Sequence, residues 1–501
     1  MIRGPLLLAL LGFVLLLALG AGAFLLLGRQ APQRWNVVVL TLDTTRADFL
    51  GCYGRPGDPT PNLDALAALG TRFDLAIATA SVTPVSHASI LTGLDNREHG
   101  VRVLSGMCGY ALKRGTPTLA TILKAEGYAT AAVHSAFPVS AYFGFDEGYD
   151  VFESFEGVIG RSQAGTMSWP LTELQRRSDD TTAIVVEQLA ALDEPFFLWV
   201  HYWDPHDPVL LPPEEWTRNA PRGPRGELVM SRELYGAEVS YLDAQIGRLF
   251  AALQASGEWD RTLVVVVADH GEGLGDHGWP FHRILYQEQI RVPLLVRVPG
   301  LASTPAVPEV VSTVDIAPTV LDYLGVRPPR AMSGRTLRPL LEGRPDAPRT
   351  AFADQINGYD LNAAMLKSRP DDDFLYAVVN GSWKLVWRPN RPEKSELYDL
   401  SADPGEMHNR FADEPGEVLR LQKLLARHGP WVTAPCHEPD ATGVDREAAL
   451  KILEGLGYAG GGEPIEPRWG FLCPGAPGRV VSDPLELDCP DGVLLVPSAA
   501  R

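Results

Sequence analysis

At roughly 150 residues per domain, a chain of 501 residues is too long for one ordinary core and points to about two to four folding units. Hydrophobic residues make up 45% and charged residues 21%, which allows a large packed interior and excludes wholesale disorder. A formal net charge of −18 argues against a nucleic-acid partner, and five cysteines with no Cys-x-x-Cys pair exclude a disulfide-built scaffold and a structural zinc site.

Met1-Ile2-Arg3 is followed by Pro5 to Gly28, a run without a charged residue. At about 1.5 Å per residue it spans about 36 Å, enough to cross a hydrocarbon core of ~30 Å. Residues 1–30 are therefore expected to be an N-terminal transmembrane anchor. That places the body of the chain outside the cytoplasm, in a periplasmic or extracellular space. The rival reading is a cleaved secretory signal with Ala21-Gly22-Ala23 as the small-residue site, which would make the protein secreted.

Asn36 to Leu42 is a continuous apolar run ending at Asp43; Phe196 to Val200 ends at His201, and Leu263 to Val267 leads into Ala268-Asp269-His270. Such runs read as strands buried on both faces, the pattern of a mostly parallel central sheet flanked by helices. Asn62 to Leu69 reads as a helix stopped by Gly70. Val239, Leu242, Ile246, Leu249 and Leu253 form one apolar helical stripe, and Pro318 to Leu324 is a short helix before Gly325. Two strand-like runs, Leu375 to Val379 and Trp383 to Trp387, flank the hairpin signal Asn380-Gly381. The expected fold is α/β, with a small antiparallel C-terminal subdomain over 346–410, a helical segment over 411–458, and a Gly/Pro-rich tail over 459–501. Cys473 and Cys489 could pair, with Cys436 as a competing partner, whereas Cys52 and Cys108 read as buried thiols.

Ligand-type side chains gather just past these strands, the edge where open α/β sheets bind ligands. Asp43 to Asp48 is one cluster, Thr83 to Gly93 a second, Pro195 to Pro208 a third, and Asp269 to Arg283 a fourth. Two carboxylates, an imidazole and a hydroxyl together suit one hard or borderline divalent ion. A metal-bound alcohol loses its proton more readily, which makes Thr83, just ahead of a predicted helix, a candidate nucleophile. Each residue also has a plain structural reading: a strand-end Asp as a helix cap, Ser81 to Pro84 as capping chemistry, His201 as a packed strand-end histidine, Asp276 and His277 as loop structure.

The order of these motifs resembles the sulfatase family of the alkaline phosphatase superfamily. The resemblance rests on Asp43, Cys52-Tyr53-Gly54, Thr60 to Asp64, Leu91-Thr92-Gly93, His99-Gly100, Pro205-His206, Asp269 to Glu272, Tyr286, Arg291-Val292-Pro293, Asp315 to Thr319 and Glu396 to Leu400. It covers about residues 35–410, continues weakly to 458, and implies a catalytic α/β domain over 35–345. The departures carry as much information. Counting back from Leu91, the family's Cys (or Ser) that becomes formylglycine is Thr83 here, its Pro is Val85 and its Arg is His87. The paired Asp-Asp is Asp43-Thr44, the Asp-Asn pair is Asp269-His270, His134 to Pro138 lacks the pocket Lys and His, and His282 stands where a pocket Lys is usual.

Threonine cannot become an aldehyde, so the resemblance implies a metal-dependent ester hydrolase working through the Thr83 alcohol itself. It assigns Asp43, Thr83, Asp269 and His270 to one divalent ion (Ca, Mn, Zn or Mg) and His206 or His282, near neutral pKa, to leaving-group protonation. It assigns Arg46, Ser86, His87 and His201 to the substrate, a small-molecule, glycan or lipid ester. Asp204, His206 and His282 offer an alternative second metal site. Second-step attack by water is ordinary for a phospho-threonine and demanding for a sulfo-threonine. Chemistry therefore favours a phosphodiester or phosphonate monoester, and family membership favours a sulfate ester. An inactive, membrane-tethered binding protein is the rival class.

Overall fold

The computed structural model describes residues 34–105, 109–153, 175–206, 210–304, 306–358, 360 and 363–428, together with 433–434, 449, 451, 453, 469–472 and 493–497. The apolar run expected to be a transmembrane anchor lies outside these residues, as do Cys108, Cys436, Cys473 and Cys489. Among the described residues no helix is long and apolar enough to cross a membrane.

Residues 36–501 cluster as one compact unit rather than several, because the elements share their apolar faces. The central sheet comprises β1 (Asn36–Leu42), β2 (Thr71–Ile77), β3 (Ala129–His134), β4 (Val151–Glu153), β5 (Phe196–Tyr202), β6 (Thr262–Ala268), β7 (Arg291–Val292), β8 (Leu294–Arg297) and β9 (Val307–Ser312). Their order is β4-β3-β5-β1-β6-β8-β2-β7, with β9 also beside β2. From β4 to β6 every pairing is parallel. Beyond β6 the sheet is mixed, since β8 runs antiparallel to both β6 and β2. Every residue of β1, β5 and β6 is buried, as their unbroken apolar runs predict for strands covered on both faces.

Helices α1 (Pro61–Leu69), α2 (Thr83–Thr92), α3 (Ser178–Leu189), α4 (Arg232–Ala255) and α5 (Ile316–Leu324) flank the sheet. The predicted stripe of α4, from Val239 to Leu253, is buried. A second, antiparallel sheet of β10 (Thr350–Gln355), β11 (Leu375–Asn380), β12 (Trp383–Trp387) and β13 (Glu396–Asp399) follows, with α6 (Pro415–His428) after it. Its hairpin turns one residue later than Asn380-Gly381 suggests: Asn380 pairs with Trp383, leaving Gly381 (φ 63°) and Ser382 as the loop. One apolar cluster joins Ile77, Ile284 and Ile290 to Ala351, Val379 and Tyr398, so this sheet is fused to the larger one. Three short strands, Thr433–Ala434, Trp469–Leu472 and Val493–Pro497, form a third sheet in the region expected to be helix and tail. Cys52 is a free thiol and only partly buried, because it sits in a surface turn.

Candidate active site

Strand register assembles the site. Leu42 pairs with Tyr202 on one side and Ala268 on the other, so Asp43 and Asp269 leave neighbouring strands at the same level. His270 follows Asp269 in the chain. Helix α2, buried along its whole length, begins at Thr83 and brings that hydroxyl to the same sheet edge, with Oγ1 3.4 Å from His270 Nε2. The metal-capable atoms of Asp43, Asp269 and His270 all lie within 4.8 Å of one another.

Hydrogen bonds fix which atoms remain available. Asp269 Oδ1 accepts from the backbone N–H of Thr44 (3.1 Å) and of His270 (2.7 Å). Ser135 N–H donates to His201 Nδ1 at 3.3 Å, so the proton of that ring is on Nε2, which donates to Asp43 Oδ2 at 3.1 Å. His270 Nδ1 donates to Gly271 O at 3.0 Å, which turns a bare Nε2 towards Thr83. Asp43 Oδ1 and Asp269 Oδ2 are buried without a hydrogen-bond partner. Burial pushes both carboxyls well above the usual carboxylate range, and the Asp43 charge raises Asp269 further; the Thr83 hydroxyl opposes the rise at Asp43. Two adjacent buried carboxyls cannot both ionise in isolation. A divalent cation removes that penalty, and Asp43 Oδ1, Asp269 Oδ2, His270 Nε2 and Thr83 Oγ1 are a donor set that fits one.

The remaining sequence-predicted residues divide. His201 grips Asp43 rather than facing substrate, and burial drives its pKa to about 3. Ser86, expected at the substrate, instead donates to the Asp269 carbonyl at 2.7 Å and ties α2 to the end of β6. His87 lies behind the carboxylates, with Nδ1 2.8 Å from Thr83 O and 3.5 Å from Asp269 Oδ2. Arg46, also expected at the substrate, has its guanidinium occupied by Asp48 and Asp276 (2.8 Å each) and by the Glu272 carbonyl. His206 stacks on Trp203 at 3.8 Å, and its ring is 5.5 Å from that of His282, which is 4.7 Å from that of His270. The near-neutral pKa expected of His206 and His282 is corrected: burial first, then the neighbouring His270, pushes both well below the usual histidine value. Asp204 joins no second metal group among the described residues; its Oδ1 accepts from Ser178 N–H and Oγ–H at the start of α3.

The sulfatase family model matches residues 35–326, and that for the C-terminal region of N-sulphoglucosamine sulphohydrolase matches 275–428. The chain belongs to the sulfatase family. It is 25% identical to an N-acetylglucosamine-6-O-sulfatase of Bacteroides thetaiotaomicron, over 79% of this chain and 86% of that protein. It is 27% identical to the multifunctional alkaline phosphatase superfamily protein PehA of Trinickia caryophylli, over 79% of this chain and 95% of that one. Among solved structures, the phosphonate monoester hydrolase of Agrobacterium radiobacter matches with a TM-score of 0.62 at 24% identity, covering 79% of this chain and 95% of that one. The protein is thus an ester hydrolase of the alkaline phosphatase superfamily.

In this sulfatase-family protein two features of the site were not legible as such in the sequence. Thr44 holds φ 45°, a costly conformation for a β-branched residue of about 1–3 kcal/mol, and thereby aims its N–H at Asp269. Glu272, fully buried near both metal-type carboxylates, is pushed up to about 8, chiefly by burial, and accepts from Gly273 N–H. An extended run gives no sign of the strained φ, and the sequence Asp-His-Gly-Glu gives none of the neutral carboxyl.

Proposed function

We propose that this sulfatase-family hydrolase uses the Thr83 hydroxyl itself as nucleophile, on a phosphodiester or phosphonate monoester. The observation that carries the reading is the buried quartet of Asp43 Oδ1, Asp269 Oδ2, His270 Nε2 and Thr83 Oγ1, with two orphaned carboxylate oxygens. A divalent cation held there would lower the pKa of the alcohol and offset charge on the reacting ester.

Thr83 Oγ1 attacks phosphorus in line with the leaving oxygen, and the Asp43 carboxylate, hydrogen-bonded to the Thr83 hydroxyl, is the neighbouring acceptor for its proton. The first-turn N–H groups of α2 favour the anion. His282 donates Nδ1–H to Ser81 O at 2.8 Å, so Nε2 is the atom that carries a proton to or from the reaction. Burial and the neighbouring His270 keep both His206 and His282 neutral at rest, so either serves as the acid only with its pKa raised by the charge of a bound anionic ester. Water then hydrolyses the threonyl ester. A sulfate ester is the second reading, favoured by the sulfatases among the relatives.

Thr83→Ala should lower turnover of an aryl phosphodiester at least about a thousandfold while Thr83→Ser, which keeps a hydroxyl, retains part of it. Wild-type turnover by the alanine variant would overturn the nucleophile assignment. We also place the active unit outside the cytoplasm, tethered by residues 1–30; recovery of the full chain only in the soluble fraction, with its N-terminus uncleaved, would reject the tether.

A further inference from the structure

Arg283 follows His282 and adopts φ 86°, an uncommon conformation for a long side chain. The surrounding structure imposes it. Arg283 N–H donates to Ser81 Oγ at 3.2 Å, Asn357 Nδ2 donates to Arg283 O at 2.9 Å, and His282 Nδ1 donates to Ser81 O. Ser81 is two residues ahead of Thr83, so the backbone that carries Arg283 is stitched to the turn that presents the nucleophile. The Arg283 side chain is 4% exposed. Its Nη1 lies 3.0 Å from Asp360 Oδ2, yet neither Nη1 nor Nη2 makes an aligned hydrogen bond among the described residues. Asp360 has other donors, in Leu104 N–H, Ser105 N–H and Ser105 Oγ. A buried guanidinium with unmet N–H groups is an unusual expense for a fold. Arg283 directly follows His282, whose ring lies 4.7 Å from that of His270. Arg46, by contrast, is consumed by Asp48 and Asp276.

We propose that Arg283 is a substrate-binding residue, which offers Nη2 and the spare hydrogen of Nη1 to a non-bridging oxygen of the tetrahedral phosphoryl or sulfuryl group. Asp360 anchors one terminal nitrogen, and the other carries no partner among the described residues. This assignment rests on the ester-hydrolase reading above but makes its own claim. A planar, permanently charged fork suits two oxygens of one tetrahedral anion better than a point charge does. It places a fixed cation beside a set of otherwise neutral histidines, so a group with at least one ionised oxygen is required.

The test is calorimetric titration of the full chain, at saturating divalent cation, with inorganic sulfate in one arm and inorganic phosphate in the other. Arg283→Met should weaken both anions at least about tenfold, leave the affinity for the cation alone unchanged, and be partly restored by Arg283→Lys. Because Arg283→Met removes the charge partner of buried Asp360, the double variant Arg283→Met with Asp360→Asn is the safeguard: its melting temperature should return towards that of the wild type while anion affinity stays low. Anion affinity within twofold of wild type in the double variant would show a merely structural ion pair and overturn the proposal. So would a wild type that binds neither anion. Neither result touches the nucleophile assignment, which stands or falls with Thr83→Ala.

Discussion

Asp43 and Asp269 put the strongest conflict of the molecule into one small volume. Burial raises both pKa values, and the Asp43 charge raises that of Asp269 further, so the stability they contribute is fully present below the unfolded value of about 3.9 and lost as pH rises through the raised values. The buried histidines act the other way: His87, His206 and His282 are held below the usual value and His270 sits at about 4. Their contribution is present above about 6.5 and lost as pH falls through the depressed values. The cation-free protein is therefore opposed from both sides. Asp43→Asn removes one carboxylate and keeps an oxygen for the His201 Nε2–H. It should raise the melting temperature of the cation-free protein by about 1–3 °C at pH 8, less at pH 5, and abolish the rise that added divalent cation gives the wild type. Thermal scans at both pH values check this, and an undiminished cation response in Asp43→Asn would remove Asp43 from the site.

At the scale of elements, sequence and structure agree where burial is two-sided. The runs Asn36–Leu42, Phe196–Tyr202 and Thr262–Ala268 are apolar because sheet neighbours and helices cover both faces, and that pattern alone identifies the strands that deliver Asp43, His201 and Asp269. What periodicity does not encode is direction. It gives neither the antiparallel β8 nor the turning of Arg46 towards Asp276, which depends on a loop closing from 226–230 residues away. The role of Ser86 was illegible for the same reason, and of His201, legible as a packed strand-end histidine, only the Asp43 partner was hidden, since Asp269 O and Asp43 Oδ2 meet them only through strand register. Arg283 stood in view next to His282, but its buried, under-satisfied guanidinium is a property of the fold. The exit of β6 shows how tightly the elements are held. A Cβ at Gly271 would lie 2.1 Å from Glu288 O, while Gly271 N–H donates to Gln289 O. Gly271→Ala should therefore cost at least about 2 kcal/mol and displace His270. Denaturant melts and cation titration read both effects; an unchanged midpoint together with unchanged cation affinity would contradict this account of the turn.

Over the whole molecule, the net charge of −18 sets a field that opposes an anionic ester approaching the site. Salt screens that field, so kcat/KM for an anionic phosphodiester should rise between about 20 and 200 mM NaCl; a fall would mean that local positive charge, rather than the global field, governs capture. The small antiparallel sheet is fused to the catalytic sheet through one apolar cluster, so the loop carrying His282 and Arg283 rests on both layers. That fusion braces the loop beside Thr83, the residue we propose as nucleophile. The most direct test is therefore chemical. The full chain is loaded with divalent cation, mixed with bis(p-nitrophenyl) phosphate, quenched in acid during turnover and digested for mass spectrometry. The account predicts release of p-nitrophenol with a p-nitrophenylphosphoryl group on the peptide containing Thr83. Turnover with that peptide unmodified, and with Thr83→Ala equally active, would contradict it.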